Sequence, residues 1–388
     1  MKNYQFLVFF SVVLTIYSLS NTYIFFKGYN VLAPIRELRI WYTVLFILLA
    51  SSFIAGKFLE ALHSSVLSDV LNIIGGFWLG LMLYATLFLF LSDVAGLILK
   101  IPGILNPANT AGYRKWAFLV TLGLSLIFII AGFINAIVPV TREYNLTINK
   151  SAGEIKTLRI AAVSDIHLGS VIRKRSVRKL SVTLEKLKPD LILLLGDIVD
   201  GEIGPVLRGD LLGYFKWPQT REGLFAITGN HEYIGGAKKT IPYIESKGIK
   251  VLKDETVTLT GGIQLTGRLD RDSYRFAGKE RLPLNELMKN TDKSKPLILL
   301  DHQPFDLGVT EQNGVDLQLS GHTHNGQMWP LNYFIRSMYE LGYGYLRKGN
   351  THFIVSSGYG LWGPRIRLGS RSEVLLINLK FSDQGQVQ

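Results

Sequence analysis

The 388-residue chain has no cysteine. That absence excludes disulfides, a thiolate-bound zinc and a cysteine nucleophile. Histidine is scarce as well, with seven in all: His63, His167, His231, His302, His322, His324 and His352. Charge is nearly missing from the first 140 residues, which hold only eight Lys or Arg and four acids of the 42 basic and 30 acidic residues in the chain. No internal repeat or low-complexity tract is present, which argues against a solenoid or an array.

What fills the charge-poor region is a set of long apolar runs. Mean hydropathy over the whole chain is +0.23, high for an ordinary soluble enzyme. Four membrane spans are expected, at 5–26, 40–56, 70–91 and 116–140, each long enough to cross a bilayer or close to it. The first resembles a signal peptide, but no small-x-small cleavage pattern closes it, so it reads as an uncleaved anchor. Residues 1–140 are therefore the transmembrane region, 141–156 a linker and 157–388 a globular domain. Basic residues concentrate in the loops 27–39 and 92–115, and the short-loop rule puts those loops in the cytoplasm and the C-terminal domain outside it. Asp93, near the end of the third span, reads as interfacial rather than as a proton relay.

The net charge of +12 and pI of about 9.6 raise the question of nucleic acid. Much of that charge flanks the spans or lies in the cluster Arg173, Lys174, Arg175, Arg178 and Lys179. Beside hydrophobic spans, the cluster fits an anionic membrane surface or an anionic substrate better than nucleic acid. A solvated helix face is the bland alternative.

From residue 156 onward, short β runs alternate with helical segments. Strands are expected at 157–164, 191–195, 224–228, 249–252, 297–300, 315–319, 352–356 and 373–379, with a hairpin turning at Gly261-Gly262. Helices are expected at 174–187, 235–247 and 282–290. Polar residues at the strand-to-helix junctions point to an α/β fold, a layered α/β/β/α sandwich with its site along one edge.

The polar residues at those strand ends carry the chemistry. The run LRIAAVSDIH ends in Asp165 and His167, LILLLGDIVD holds Asp197, LFAITGNHE holds Asn230 and His231, LILLDHQP holds His302, and LQLSGHTH holds His322 and His324. Five of the seven histidines fall in these five blocks, which chance does not readily explain. Asp, His, Asp, Asn, His, His, His is a donor set sufficient for two divalent cations sharing one carboxylate. His63 and His352 lie outside the blocks and read as ordinary.

In this order, D-x-H, G-D-x-x-D, G-N-H-E, a lone His and G-H-x-H resemble the calcineurin-like metallophosphoesterases, over residues 156 to about 380. The runs GHTHNGQ and SSGYGLWGPRIRLGSRSEV look like a membrane-associated branch that includes bacterial phosphodiesterases and UDP-diacylglucosamine pyrophosphatases. Asn325 stands where that branch usually has Gly. The resemblance implies that Asp165, His167 and His324 hold one metal, that Asn230, His302 and His322 hold the other, and that Asp197 bridges them. It implies two divalent ions drawn from manganese, iron, zinc or cobalt.

His231, next to a ligand, is expected to point at the phosphate, where it stabilises charge or protonates the leaving alkoxide, with Asp200 read as its orienting partner against the alternative of a turn cap. Asp301, beside His302, reads as structural. Arg365 and Arg367 are candidates for binding a second phosphate or a lipid headgroup, since guanidinium groups match phosphate oxygens; alternating arginines near a strand that are simply solvated are the other reading. The aromatic segment 329–346 reads either as a lid or membrane-contacting surface or as a helix packed on the sandwich. The function expected is that of a multi-pass protein of a bacterial inner or cell membrane. It would hydrolyse a phosphodiester or pyrophosphate bond of a lipid or envelope substrate, with the bilayer as partner and no nucleic acid. The rival is a transporter or receptor in which the metal fold only binds a ligand.

Overall fold

The computed structural model describes residues 2–382; the side chains of residues 2–6, 9 and 10 fall outside that description. The described chain forms two compact units, Met1–Phe133 with Gly363–Ile366, and Ile134–Trp362 with Arg367 onward.

The first unit is built on four helices: α1 (Lys2–Val31), α2 (Arg36–Leu62), α3 (Val66–Lys100) and α4 (Pro107–Ile137). Three of them, α2, α3 and α4, are long and apolar enough to cross a membrane among the described residues, against the four spans expected. The expected span 5–26 lies on α1 and begins partly on side chains outside the description. Its described part is diluted by Thr15, Ser18, Ser20, Asn21 and Thr22. Asn21 is nonetheless satisfied inside the unit, since its amide donates to Tyr17 O at 2.8 Å and its Oδ1 accepts from Trp78 Nε1 at 3.0 Å. A reciprocal cap between Ser65 and Ser68 starts α3. Ile24, Phe46, Trp78, Ala85 and Leu89 form the unit's core, while Trp41, Phe58, Leu62 and Ile127 stay more than half exposed. An outer surface of this kind belongs against lipid rather than water. Asp93 is paired with Lys27, as an interfacial acid should be. It is not the only acid to weigh in these helices, because Glu60 and Asp69 are buried and Asp93 is not.

The second unit holds two six-stranded sheets. One has the order β1 (Val140–Ile148), β12 (Glu373–Phe381), β2 (Thr157–Val163), β3 (Leu191–Leu195), β4 (Gly223–Ile227) and β5 (Lys250–Val251). The other has the order β10 (Gly344–Lys348), β11 (Thr351–Val355), β9 (Leu317–Ser320), β8 (Leu297–Leu300), β7 (Gln264–Gly267) and β6 (Glu255–Thr258). From β2 to β5, and from β7 through β8 and β9 to β11, neighbours run parallel, so the chain must cross over between them.

Period-two alternation sorts the side chains into layers. Leu191, Leu193 and Leu195 point to one side of β3 and, with Leu158 and Ile160, pack on Leu265, Ile298, Leu300, Leu317 and Leu319 of the other sheet. Ile192 and Leu194 point the other way, onto Val177, Leu180 and Leu184 of α5 (Lys174–Leu187). The outer face of the second sheet, at Leu297 and Leu299, is covered by Leu284 and Met288. The result is the α/β/β/α sandwich. Full burial of each of these leucines is worth about 1.5–3 kcal/mol, so the strands that carry the site rest on the most heavily buried part of the chain.

The expected linker at 141–156 is a correction. Residues 140–148 form β1, paired in parallel with β12 from Val140 opposite Glu373 to Ile148 opposite Phe381. The sequence TREYNLTI reads as polar because β1 is an edge strand with one open side, and its Leu146 and Ile148 enter the core between the sheets.

Candidate metal centre

Each strand that ends in the site gives way to a backbone that only special residues adopt. Asp165, His167, Asp197, His322 and His324 all have φ between +49° and +72°. Left-handed backbone at five non-glycine residues is strained, and such clusters persist where the surrounding structure fixes them. Main-chain hydrogen bonds do the fixing: Asp165 N donates to Gly196 O at 3.1 Å, His167 N to Asp197 O at 2.9 Å, and Gly321 N to His302 O at 2.9 Å. Glycines before the functional residues permit the approach. A Cβ on Gly229 would collide with the Asp197 carboxylate, and one on Gly321 with that of Asp165.

Three overlapping groups of donors result, the third being His167, Asp200 and His231. In the first, His167 Nε2 and His324 Nε2 are 3.0 Å apart, and Asp165 Oδ1 lies 3.4 Å from His324 Nε2 and 3.9 Å from His167 Nε2. In the second, Asp197 Oδ2 lies 3.1 Å from His302 Nε2, and His322 Nδ1 meets Asn230 Oδ1 at 2.9 Å. The same Asp197 Oδ2 is 3.8 Å from His167 Nε2, so one carboxylate oxygen stands between the clusters. Donor atoms of Asp165, His167 and His324, and likewise of Asp197, His302 and His322, all lie within 4.8 Å of one another.

The donor set fits divalent cations on a specific ground. His302 Nδ1 donates to Leu195 O at 2.6 Å, which turns Nε2 toward Asp197 Oδ2, 3.1 Å away. Burial works against the cationic form of that ring, but Asp197, then Asp165 and Asp270, prevail and raise His302 well above 6.5. The buried carboxylates thus call for positive charge at this point, and a divalent cation can take the place of the imidazolium proton, since a metal-binding His is deprotonated.

Charge is arranged to match. Burial, joined by the Asp197 charge, raises Asp165. Burial opposes ionisation of Asp197 too, but the His302, His231 and His167 imidazoles outweigh it and hold that carboxyl well below the usual range. Burial, then the neighbouring His302, lowers His322 to about 3, so its ring is neutral and able to ligate.

His231 differs from these. Its main-chain N–H donates to Asp197 Oδ1 at 2.9 Å, and its Nδ1 lies 3.3 Å from Asp200 Oδ1. Burial works against its cationic form, but Asp197 and Asp200 prevail and raise it to about 9. Asp200 Oδ1 is also 3.3 Å from His167 Nδ1.

A family model described as calcineurin-like phosphoesterase matches residues 158–326. An uncharacterized metallophosphoesterase of Aquifex aeolicus (strain VF5) is 34% identical over 226 residues, 58% of this chain and 85% of that protein. The chain belongs to the calcineurin-like phosphoesterases. A second relative, an uncharacterized metallophosphoesterase of Helicobacter pylori (strain J99 / ATCC 700824), is 34% identical over 229 residues. The match covers 58% of this chain and 60% of that protein, so the chain spans about three fifths of that relative's length. A transmembrane protein with metallophosphoesterase domain from Danio rerio is 26% identical over 333 residues, 78% of this chain and 74% of that one. With its family and its clusters of donors, the chain binds divalent metal. With three helices long and apolar enough to cross a bilayer, it is a membrane protein.

The remaining expected residues separate. Arg367 is fully buried, and its guanidinium lies 3.1 Å from His324 Nδ1 and donates to Gly360 O at 2.6 Å. Arg365 groups with the helical unit, 5.6 Å from the Phe133 ring. Asp301 pairs with Arg268 at 2.9 Å and Arg281 at 3.1 Å. Asn325 has φ +47°, which accounts for a position that glycine can fill, since Asn tolerates the left-handed region better than most residues. His352 lies 2.9 Å from the Tyr345 hydroxyl, clear of the donor groups.

One residue that shapes the candidate site was not expected from the sequence. Glu232, the last letter of G-N-H-E, accepts from the main-chain N–H of Asp197 (3.0 Å), Ile198 (2.7 Å), Val199 (3.0 Å) and Gly229 (2.7 Å). It ties the Asp197 turn to the Asn230 turn. Its place in the motif was the available signal.

Proposed function

We propose that this protein is a membrane-anchored, dinuclear metal-dependent phosphoesterase that cleaves a phosphodiester or pyrophosphate bond of a lipid or envelope substrate. The observation that carries the reading is Asp197 Oδ2, which lies 3.1 Å from His302 Nε2 and 3.8 Å from His167 Nε2. Asp165, His167 and His324 would hold one cation, Asn230, His302 and His322 the second, and Asp197 both. When bound, such a pair supplies a hydroxide at neutral pH and neutralises phosphate oxygens. His231 gives a proton to the leaving oxygen, and Asp200 keeps its ring aimed. Arg367 sets the orientation of His324, and Arg365 is the remaining candidate for a second phosphate or a headgroup.

Three features support a lipid-linked substrate. Only residues 138 and 139 lie between α4 and β1. On α5, Lys174, Arg175, Arg178 and Lys179 are exposed, a basic face suited to anionic lipid. In the aromatic segment, the helix Leu331–Met338 leaves Tyr333, Phe334 and Met338 about 60% exposed or more. Exposed aromatic and apolar groups of this kind suit an interface with acyl chains. By the short-loop rule the catalytic domain lies outside the cytoplasm.

The test is hydrolysis by the purified full-length protein, loaded in turn with manganese, iron, zinc or cobalt, on lipid and nucleotide phosphodiesters and pyrophosphates. The reading expects metal-dependent release, greatest from a lipid-linked substrate. Metal-loaded protein that cleaves none of them would count against catalysis altogether.

A further inference from the structure

The helical unit contains a cavity of about 1180 Å³ between α1, the end of α3 and the start of α4. No residue of the metal centre lines it. Its walls are apolar, formed by Leu19, Phe26, Leu89, Leu97 and Phe118 among others. Its charged lining is strongly unbalanced: Lys27, Lys100, Arg114 and Lys115 against the single acid Asp93.

That acid is already engaged. Asp93 Oδ2 accepts from Lys27 Nζ at 2.7 Å and from the Tyr23 hydroxyl at 2.6 Å. Lys27 and Asp93 thus largely neutralise each other; Arg114 also acts on Asp93 through its charge, but neither it nor Lys100 nor Lys115 makes a direct ion pair among the described residues, so the lining keeps an excess of positive charge. Three exposed cations at the mouth of an apolar cavity in a membrane protein attract a ligand with an anionic head and an apolar body. A soluble anion would leave the walls unfilled, and a neutral lipid would leave the cations unmatched. The surrounding surface is suited to acyl chains, since Leu97, Ile98, Ile101 and Ile104 are all at least 60% exposed.

We infer that this cavity is a binding site for an anionic phospholipid, whose phosphate is held by Lys100, Arg114 and Lys115 and whose chains lie against Leu97 and Phe118. It is separate from any lipid that the metal centre turns over and does not depend on that reaction.

The test is binding of phosphatidylglycerol to the full-length protein in neutral detergent, read by native mass spectrometry and by the thermal unfolding midpoint. Phosphatidylcholine and inorganic phosphate are the comparison ligands. Phosphatidylglycerol should remain bound and raise the midpoint, and the other two should do neither. In the Arg114→Gln/Lys115→Gln variant, affinity for phosphatidylglycerol should fall about tenfold or more. The same charge removed elsewhere, in Lys238→Gln/Lys239→Gln, should leave it unchanged. All four side chains are outside the buried core, so both variants should fold. Equal protection by inorganic phosphate would overturn the lipid assignment in favour of a simple anion site. Equal retention of phosphatidylcholine would reduce the cavity to an apolar slot. Undiminished phosphatidylglycerol binding in Arg114→Gln/Lys115→Gln, or equal loss in the control pair, would remove the site.

Discussion

Asp200 Oδ1 lies 3.3 Å from His231 Nδ1, the ring nitrogen that faces away from the position a leaving group would occupy if the other nitrogen is the proton donor. The carboxylate can hold the ring's direction and its positive charge without touching substrate.

His231→Ala should therefore keep its metal and lose about two to four decades of turnover. Asp200→Asn should lose about 10–100-fold. Because the two act as a unit, the double variant should be little worse than His231→Ala alone. Steady-state kinetics with metal analysis check this, and additive losses would separate the two residues.

Glu232 should matter for stability before chemistry. Glu232→Ala strands four main-chain donors in the turns that carry Asp197 and Asn230, at a cost of at least about 3 kcal/mol. Thermal or denaturant unfolding of the full-length protein measures it. A variant as stable as the wild type would mean that water replaces the carboxylate.

Arg367→Met should fold and bind metal about 10–100-fold more weakly, because His324 loses the group at its Nδ1. Titration of metal into the stripped variant reads this. Unchanged metal affinity with reduced turnover would instead make Arg367 a substrate-binding residue.

Chelation should lower the unfolding midpoint, and excess metal should restore it, since a ligand at 100 times its Kd stabilises by about 2.7 kcal/mol. The stripped protein should also depend on pH in a defined direction. The folded pKa of His231 is raised from 6.5 to about 9, so its contribution is complete below pH 6.5 and is lost as pH rises through about 9. Stripped His231→Ala should show a shallower decline over that window. An unchanged slope would assign the linkage to other groups.

The site could be read from the sequence because each block breaks an apolar run at a strand end: Asp165 after β2, Asp197 after β3, Asn230 after β4, His302 after β8 and His322 after β9. Buried strands leave that mark whatever their partners are. The hairpin of β6 and β7 was legible for a similar local reason, the Gly261-Gly262 turn. By contrast β1 was hidden, because an edge strand with one wet face has the composition of a linker. The difference between Arg365 and Arg367 was hidden too. Two residues apart and alike in sequence, they part because His324 and Gly360 O meet only one of them. Such a partner, 43 residues away, leaves no local trace.

The account rests on Asp197 as the carboxylate shared by two cations. Elemental analysis of full-length wild type and Asp197→Ala, each paired with an assay on bis(p-nitrophenyl) phosphate, tests it most directly. The account predicts two ions per chain and metal-dependent hydrolysis in the wild type, with loss of the ion pair and of turnover in the variant. Two tightly held ions in Asp197→Ala, or hydrolysis by the metal-stripped wild type, would contradict it.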